Sequence, residues 1–249
     1  MMFSVQPSVT IFKREFGQFF RSPRAFIFLF VFASLSSGAA FLVGDLLERG
    51  QADLTPFFNW HPWLFLLVLP ALSMGLWSDE RRTGTIETLL TLPVATLTWV
   101  LAKFFAAWLF AGLALVFTLP LAATLYYLGD PDTGVVIAGY LGSWWLAGAY
   151  LAIGSCMSAL SRHQLSAFML TATVCLLFCL SGLPMVFLFD VGQWPKPIMF
   201  VFQQLSFVDH FQSITRGVFV LSDFLFFASV MVVWLTATTW IVDMKKASA

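Results

Sequence analysis

The side chains able to do chemistry in this sequence are few and scattered. Its three histidines, His61, His163 and His210, form no H-E-x-x-H or comparable metal-binding cluster. Cys175 and Cys179 stand four residues apart on one helix face, where with Met169 or Met185 they could hold a soft metal; small apolar filler is the plainer reading. Asp209 and His210 are neighbours in a helical pattern, so their side chains point apart, and Asp209 reads better as a cap than as half of an acid/base pair. No G-x-x-x-x-G-K-[ST] occurs, so the chain does not grip nucleotide phosphates by that means and any ATP must be handled by another subunit. The expectation is a chain that is no enzyme, holds no metal or other cofactor of its own and has no nucleic-acid partner.

The one concentrated polar stretch is SDERRTGTIETLLTLP, Ser78 to Pro93. Asp79 to Arg82 can carry a preceding helix into water, and Gly84 is the natural stop. Thr85 then caps a second helix, with Glu87 in its first turn favoured by the positive end of the dipole. Ile86, Leu89 and Leu90 make one apolar face at i, i+3, i+4, and Pro93 ends it. A helix this short is not stable alone. Either it packs on the inner rim of its own bundle, or it is a lever seated in a cleft of a cytosolic partner. In the second case Glu80, Arg81, Arg82 and Glu87 fix the docking by charge, and Leu89 and Leu90 supply the seated apolar contact.

The elements that must position this stretch are membrane spans. The chain is 59% apolar and 10% charged, with 29 Phe, 10 Trp and a mean hydropathy of +0.87, far outside soluble composition. Spans free of Asp, Glu, Lys and Arg run over Phe57–Trp77, Phe104–Leu128, Val135–Leu160, Leu165–Phe189 and Phe224–Val242. A sixth, Ala25–Leu47, has only Asp45 near its end. Each approaches or exceeds the roughly 20 residues a crossing helix needs. Six crossings put both termini on one side, and that side, with 78–103 and Arg162, holds ten of the thirteen Lys and Arg. It is therefore read as cytoplasmic, the membrane being the bacterial inner membrane. Asp45, Lys103 and Asp190 are read as lying near span ends, where side chains reach water. With no ionisable group at mid-depth, a proton- or sodium-driven transporter is disfavoured. Trp60, Trp63, Trp77, Trp99 and Trp194 read as an interfacial aromatic belt.

Before the first span, Val9, Phe12, Phe16, Phe19 and Phe20 recur at helical spacing, which predicts an amphipathic helix in the inner headgroup layer. The fourth span spaces small residues from Gly134 and Ala138 to Gly154 and Ser158, which predicts close packing inside the bundle. Between Asp190 and Asp223 two short outer helices are expected, the second starting at Ser206 with Asp209 at capping-box spacing and ending at Arg216-Gly217.

Glu80-x-x-x-Gly84-Thr85-x-Glu87-x-Leu89-Leu90-x-x-Pro93-Val94 resembles the signature of ABC-2 type permeases, the membrane subunits of ATP-binding-cassette transporters. Leu205-Ser206-x-x-Asp209-His210-Phe211 through Thr215-Arg216-Gly217-Val218, followed by Asp223, resembles the outer loop of their gliding-motility-associated branch and its nitrous-oxide-reductase-maturation relatives. The resemblance covers nearly the whole chain. It implies that the stretch after Gly84 is the coupling helix that contacts the ATPase. It further implies two permeases, like or unlike, on a cytosolic ATPase dimer that binds Mg-ATP. A periplasmic-domain protein contacted through Asp209, His210 and Arg216 fits the same picture, alongside membrane lipid. The fold expected is all-α and integral to the membrane: six transmembrane helices in one domain, 1–249, with an amphipathic helix in 1–24, a coupling region at 78–99 and an outer helical loop at 190–222. The function expected is that of an exporter permease subunit driven through the 85–92 helix. The alternative is a mechanical transmitter that passes ATPase motion to a periplasmic partner and moves no solute itself.

Overall fold

The computed structural model describes residues 5–21, 23–42, 53–85, 93–182, 203–217 and 221–247, and within them the only regular structure is helix. In chain order these are α1 (Val5–Arg21), α2 (Pro23–Leu42), α3 (Thr55–Asn59), α4 (His61–Ser73), α5 (Gly75–Thr83), α6 (Thr96–Val116), α7 (Leu119–Leu128), α8 (Thr133–Leu160), α9 (Gln164–Leu180), α10 (Phe207–Thr215) and α11 (Leu221–Ala247).

Five stretches among the described residues are long and apolar enough to cross a membrane: Ala25–Leu42, His61–Thr83, Thr96–Leu128, Thr133–Leu160 and Leu221–Lys245. The remaining expected span, Leu165–Phe189, is represented by α9, a shorter apolar helix, and its anticipated end at Phe189 falls outside the described residues. The second and third spans are each interrupted. Between α4, which contains Pro70, and α5 the ladder lapses at Met74, which keeps right-handed helical dihedrals and still donates to Pro70 O. Phe117 and Thr118 break the third span just ahead of Pro120, which sits in the first turn of α7, where a missing N–H is harmless.

α8 is the centre of the bundle. In its most apolar window 72% of residues are buried, against 28% in α2 and 33% in α11, which therefore present most of their surface outside the bundle. Its small residues allow this. A Cβ on Gly142 would stand 2.8 Å from Ile214 Cγ2 of α10, and one on Gly148 2.7 Å from Met231 Cε of α11. Two tryptophans lock α6 to α8: the Trp108 and Trp144 rings stack at 4.5 Å, and each indole N–H donates to the other residue's carbonyl, at 2.7 and 3.1 Å. Tyr150, wholly buried, donates to Pro62 O of α4 at 2.8 Å.

α1 packs against α6 and not only toward headgroups: the Phe19 ring stacks on Phe110 at 4.9 Å and Phe20 meets it edge-on at 5.8 Å. The buried face differs from the one expected. Val9 is exposed, whereas Ile11 and Glu15 are buried beside Phe12, Phe16 and Phe19. On the opposite side of the bundle α10 begins where expected, with Ser206 Oγ accepting from Asp209 N at 3.2 Å, and ends before Gly217 at φ 80°. Phe207, Phe211 and Ile214 fix it against α8 and α11.

Candidate functional site around the end of α5

The site grows from the break at Met74. A helix that restarts leaves its first backbone N–H groups without intrahelical acceptors. Here a side chain from another helix answers two of them: Ser158 Oγ of α8 accepts from Trp77 N at 3.0 Å and Ser78 N at 3.1 Å, while donating to Met74 O at 2.8 Å. Trp77 Nε1 donates to Ser155 Oγ, one turn earlier on α8, at 3.1 Å. Farther along, Arg81 Nη1 reaches the last carbonyls of α8, Ala159 O at 3.0 Å and Leu160 O at 2.6 Å. A cation is favourable there because unsatisfied carbonyls concentrate negative charge at a helix C-terminus. Lys245 Nζ of α11 donates to the same Ala159 O at 2.6 Å.

On its other face α5 enters an ion network. Glu80 Oε1 lies 2.7 Å from Lys103 Nζ of α6, and Glu15 Oε2 of α1 lies 2.9 Å from the same nitrogen. Arg14 Nη2 completes the chain at 2.6 Å from Glu15 Oε1. The Lys103 side chain is 4% exposed, so an ammonium has been taken out of solvent and is supported by two carboxylates and, at 5.4 Å, the Trp77 ring. The Arg14 guanidinium sits over Trp99 at 5.3 Å. Burial pushes the Glu15 carboxyl up, but Lys103 and Arg14 together outweigh it and hold the group below its usual range. Glu80 Oε2 is buried with no hydrogen-bond partner among the described residues.

Two expectations are corrected by this arrangement. Lys103 does not reach water near a span end: the third span starts at Thr96, eight residues before the expected Phe104, and carries Lys103 within it. A buried ionisable cluster therefore does exist at the edge of the bundle. Trp77 and Trp99 are not belt residues facing lipid, being 1% and 4% exposed. The expected docking residues divide. Glu80 and Arg81 are engaged within the chain; Arg82, Gly84, Thr85 and Pro93 are exposed; Glu87, Leu89 and Leu90 lie outside the described residues. Gly84 has φ 72°, the left-handed conformation that ends a helix, and Thr83 and Thr85 hydroxyls meet across it at 2.9 Å.

Glu15 and Ser155 were not singled out by type or spacing, while Lys103 was read as reaching water and Ser158 as small packing filler. The available signal was an acid in the apolar stripe of α1, four residues from both Ile11 and Phe19.

The outer candidates gather less. His210 pairs not with Asp209 but with Asp223, Nδ1 to Oδ1 at 2.7 Å, while Nε2 faces Gln204 O at 3.1 Å and the ring stacks on Phe226 at 4.1 Å. Asp209 and Arg216 are exposed. Cys175 and Cys179 are buried, with Cys179 Sγ 2.9 Å from Tyr150 Oη, and among the described residues no three His, Cys, Asp or Glu converge as metal ligands.

Set against known protein families, part of the chain finds a counterpart. Residues 48–159 match the CcmB protein family. That family comprises permease subunits of ABC-type heme exporters, and the matched residues run from before α3 to the end of α8, taking in Glu80, Lys103 and Ser158. Comparison with curated proteins gives no match. The outer-loop residues that point to the gliding-motility branch lie beyond the matched segment, so the match lends that branch no support. A multi-pass membrane protein with a CcmB-like permease segment is what the fold and the match establish together.

Proposed function

We propose that this chain is the membrane subunit of an ATP-binding-cassette exporter, driven by a separate Mg-ATP-binding ATPase dimer through residues 85–92 and paired with a second permease copy or paralogue. One observation carries the reading: α5, which leads directly to that segment, is fastened on one face to α8 and on the other, through Glu80–Lys103–Glu15, to α6 and α1. A push delivered beyond Gly84 thus enters a block of four helices and not a loose loop. The exposed Arg82, Gly84 and Thr85 are free to meet a partner, with Glu87, Leu89 and Leu90 following in sequence. Both termini are placed in the cytoplasm on the same reading, in agreement with the excess of Lys and Arg there.

Replacing Leu89 and Leu90 together by Asp tests the docking. Loss of ATPase co-purification and of its turnover is the expected result, and undiminished capture of the ATPase would refute the reading. The fixed seat of α10 on α8 and α11 favours a second reading, in which motion is passed outward to a periplasmic-domain protein at Asp209, His210 and Arg216 without solute passage. Transport into inverted vesicles bearing the whole complex separates the two. Heme, the cargo of the matched family, is the first solute to supply.

A further inference from the structure

His210 stands where α10, the start of α11 and residues 203–206 meet, and both of its ring nitrogens face acceptors. Nδ1 lies 2.7 Å from Asp223 Oδ1 of α11, and Nε2 lies 3.1 Å from the backbone carbonyl of Gln204. A neutral imidazole has one N–H and can donate to only one of them; the imidazolium donates to both. The surroundings also suit a cation. Asp223 is buried in the first turn of α11, where the helix dipole favours negative charge, and its Oδ2 has no hydrogen-bond partner among the described residues. A buried carboxylate so sparsely bonded needs a counterion. The Phe226 ring lies against the imidazole at 4.1 Å, and an aromatic face attracts positive charge.

Among the described residues Asp223 is the one acid within ion-pair distance of the ring. The other ionisable groups of α10 and of the helices packed on it are turned elsewhere. Asp209 Oδ2 lies against Gly182 at the end of α9, and Arg216 lines a hollow with Asp53 and Asp132 beside α3 and α8. His61 of α4 meets Ser143 of α8, and Cys179 of α9 meets Tyr150. When the ring gives up its proton, the remaining hydrogen stays on Nδ1, because a bond to a carboxylate is stronger than one to a carbonyl. Nε2 then turns a lone pair on Gln204 O, and that contact fails. α10 itself stays seated through Phe207, Phe211 and Ile214. The ring keeps 15% of its side-chain surface exposed, so protons reach it from solvent. We propose that His210 is a proton-operated clasp: charged, it ties the chain entering α10 to α11, and uncharged it releases Gln204 while keeping Asp223. The stability it contributes is present at low pH and lost as pH rises through the titration of the ring. The inference stands on this geometry and is independent of the transport reading.

The test uses the full chain in lipid nanodiscs between about pH 5.5 and about pH 8, the range in which histidine changes charge. Nitrogen-15 NMR of labelled histidine, with His210 assigned by its through-space contact to Phe226, should show hydrogen on both ring nitrogens at the lower pH and on Nδ1 alone at the higher. Hydrogen-exchange protection of residues 203–210, corrected for the intrinsic effect of pH, should fall about tenfold over the same range, the worth of one charge-assisted hydrogen bond, while that of α8 stays constant. His210→Gln should abolish this pH dependence, and Asp223→Asn should move it to lower pH, because the ring then lacks its counterion. A single ring hydrogen at the lower pH, a hydrogen kept on Nε2 at the higher, or flat protection in the unaltered chain overturns the proposal. An equal fall in His210→Gln also overturns it, since another group would then be titrating. The NMR measurement needs no substitution and decides the matter even where a variant does not fold.

Discussion

Lys103 shows why a buried charge is better judged by its partners than by its position. Its ammonium is out of water, and the two glutamates that hold it come from helices 88 residues apart in one case and 23 in the other. Removing the cation leaves two buried carboxylates facing each other, so Lys103→Met should destabilise the protein by about 3–5 kcal/mol, read as a lowered Tm in detergent. Replacing all three groups, Glu15→Gln, Lys103→Met and Glu80→Gln, should recover most of that loss, because neutral groups carry no such desolvation penalty. A triple variant no more stable than the single one would show that the network adds to stability beyond mutual neutralisation. Glu15 also sets a pH dependence. Its carboxyl is held below the usual value of 4.5 by Lys103 and Arg14 against the opposing effect of burial. The stability it contributes is therefore complete above the unfolded value and is lost as pH falls through the lowered folded one. The difference in Tm between the unaltered chain and Glu15→Gln should accordingly shrink as pH is taken below about 4.5, and a difference that grows on acidification would exclude this. None of this was legible from residue type: Lys103 was assigned to water because a charge was taken to end a span, and the carboxylates that let it remain inside belong to distant segments.

Among the elements, what was legible is what local physics sets. The Gly84 stop, the Ser206 cap and the Gly217 end follow from backbone groups within one turn, and each is found where the residues predict it. The packing of α8 was also readable, since a run of small residues has few other uses in a membrane helix. The tie between α5 and α8 was not readable. Ser158 meets Trp77 N across 81 residues, and nothing near Met74 announces that orphan N–H groups there will need a hydroxyl from elsewhere. Ser158→Ala should therefore cost about 1–3 kcal/mol, the penalty for leaving buried donors unmet. Ser229→Ala on α11, where an exposed hydroxyl bonds only within its own helix, is the matched control and should change Tm negligibly. Comparable losses in the two variants would mean that the α5 donors find another acceptor.

For the whole molecule, the proposed function requires that a force applied at one rim become a movement of the bundle. α5 has two attachments, a hydrogen-bonded one to α8 through Ser155, Ser158 and Arg81 and an ionic one to α6 and α1 through Glu80 and Lys103. Because α8 also contacts α4, α6, α9, α10 and α11, the first attachment distributes motion across the bundle to the outer helix, whereas the second moves its flank. Docking and transmission should therefore fail separately. Ser158→Ala leaves residues 85–92 intact, so the ATPase should still co-purify and hydrolyse ATP at close to its normal rate, while transport by the same complex in inverted vesicles falls about tenfold, equivalent to roughly 1.4 kcal/mol of lost coupling. The Leu89→Asp, Leu90→Asp variant should instead lose capture, hydrolysis and transport together. Unimpaired transport by Ser158→Ala would place the working path through the Glu80–Lys103 side, and Glu80→Gln in the same vesicles would then have to show the deficit.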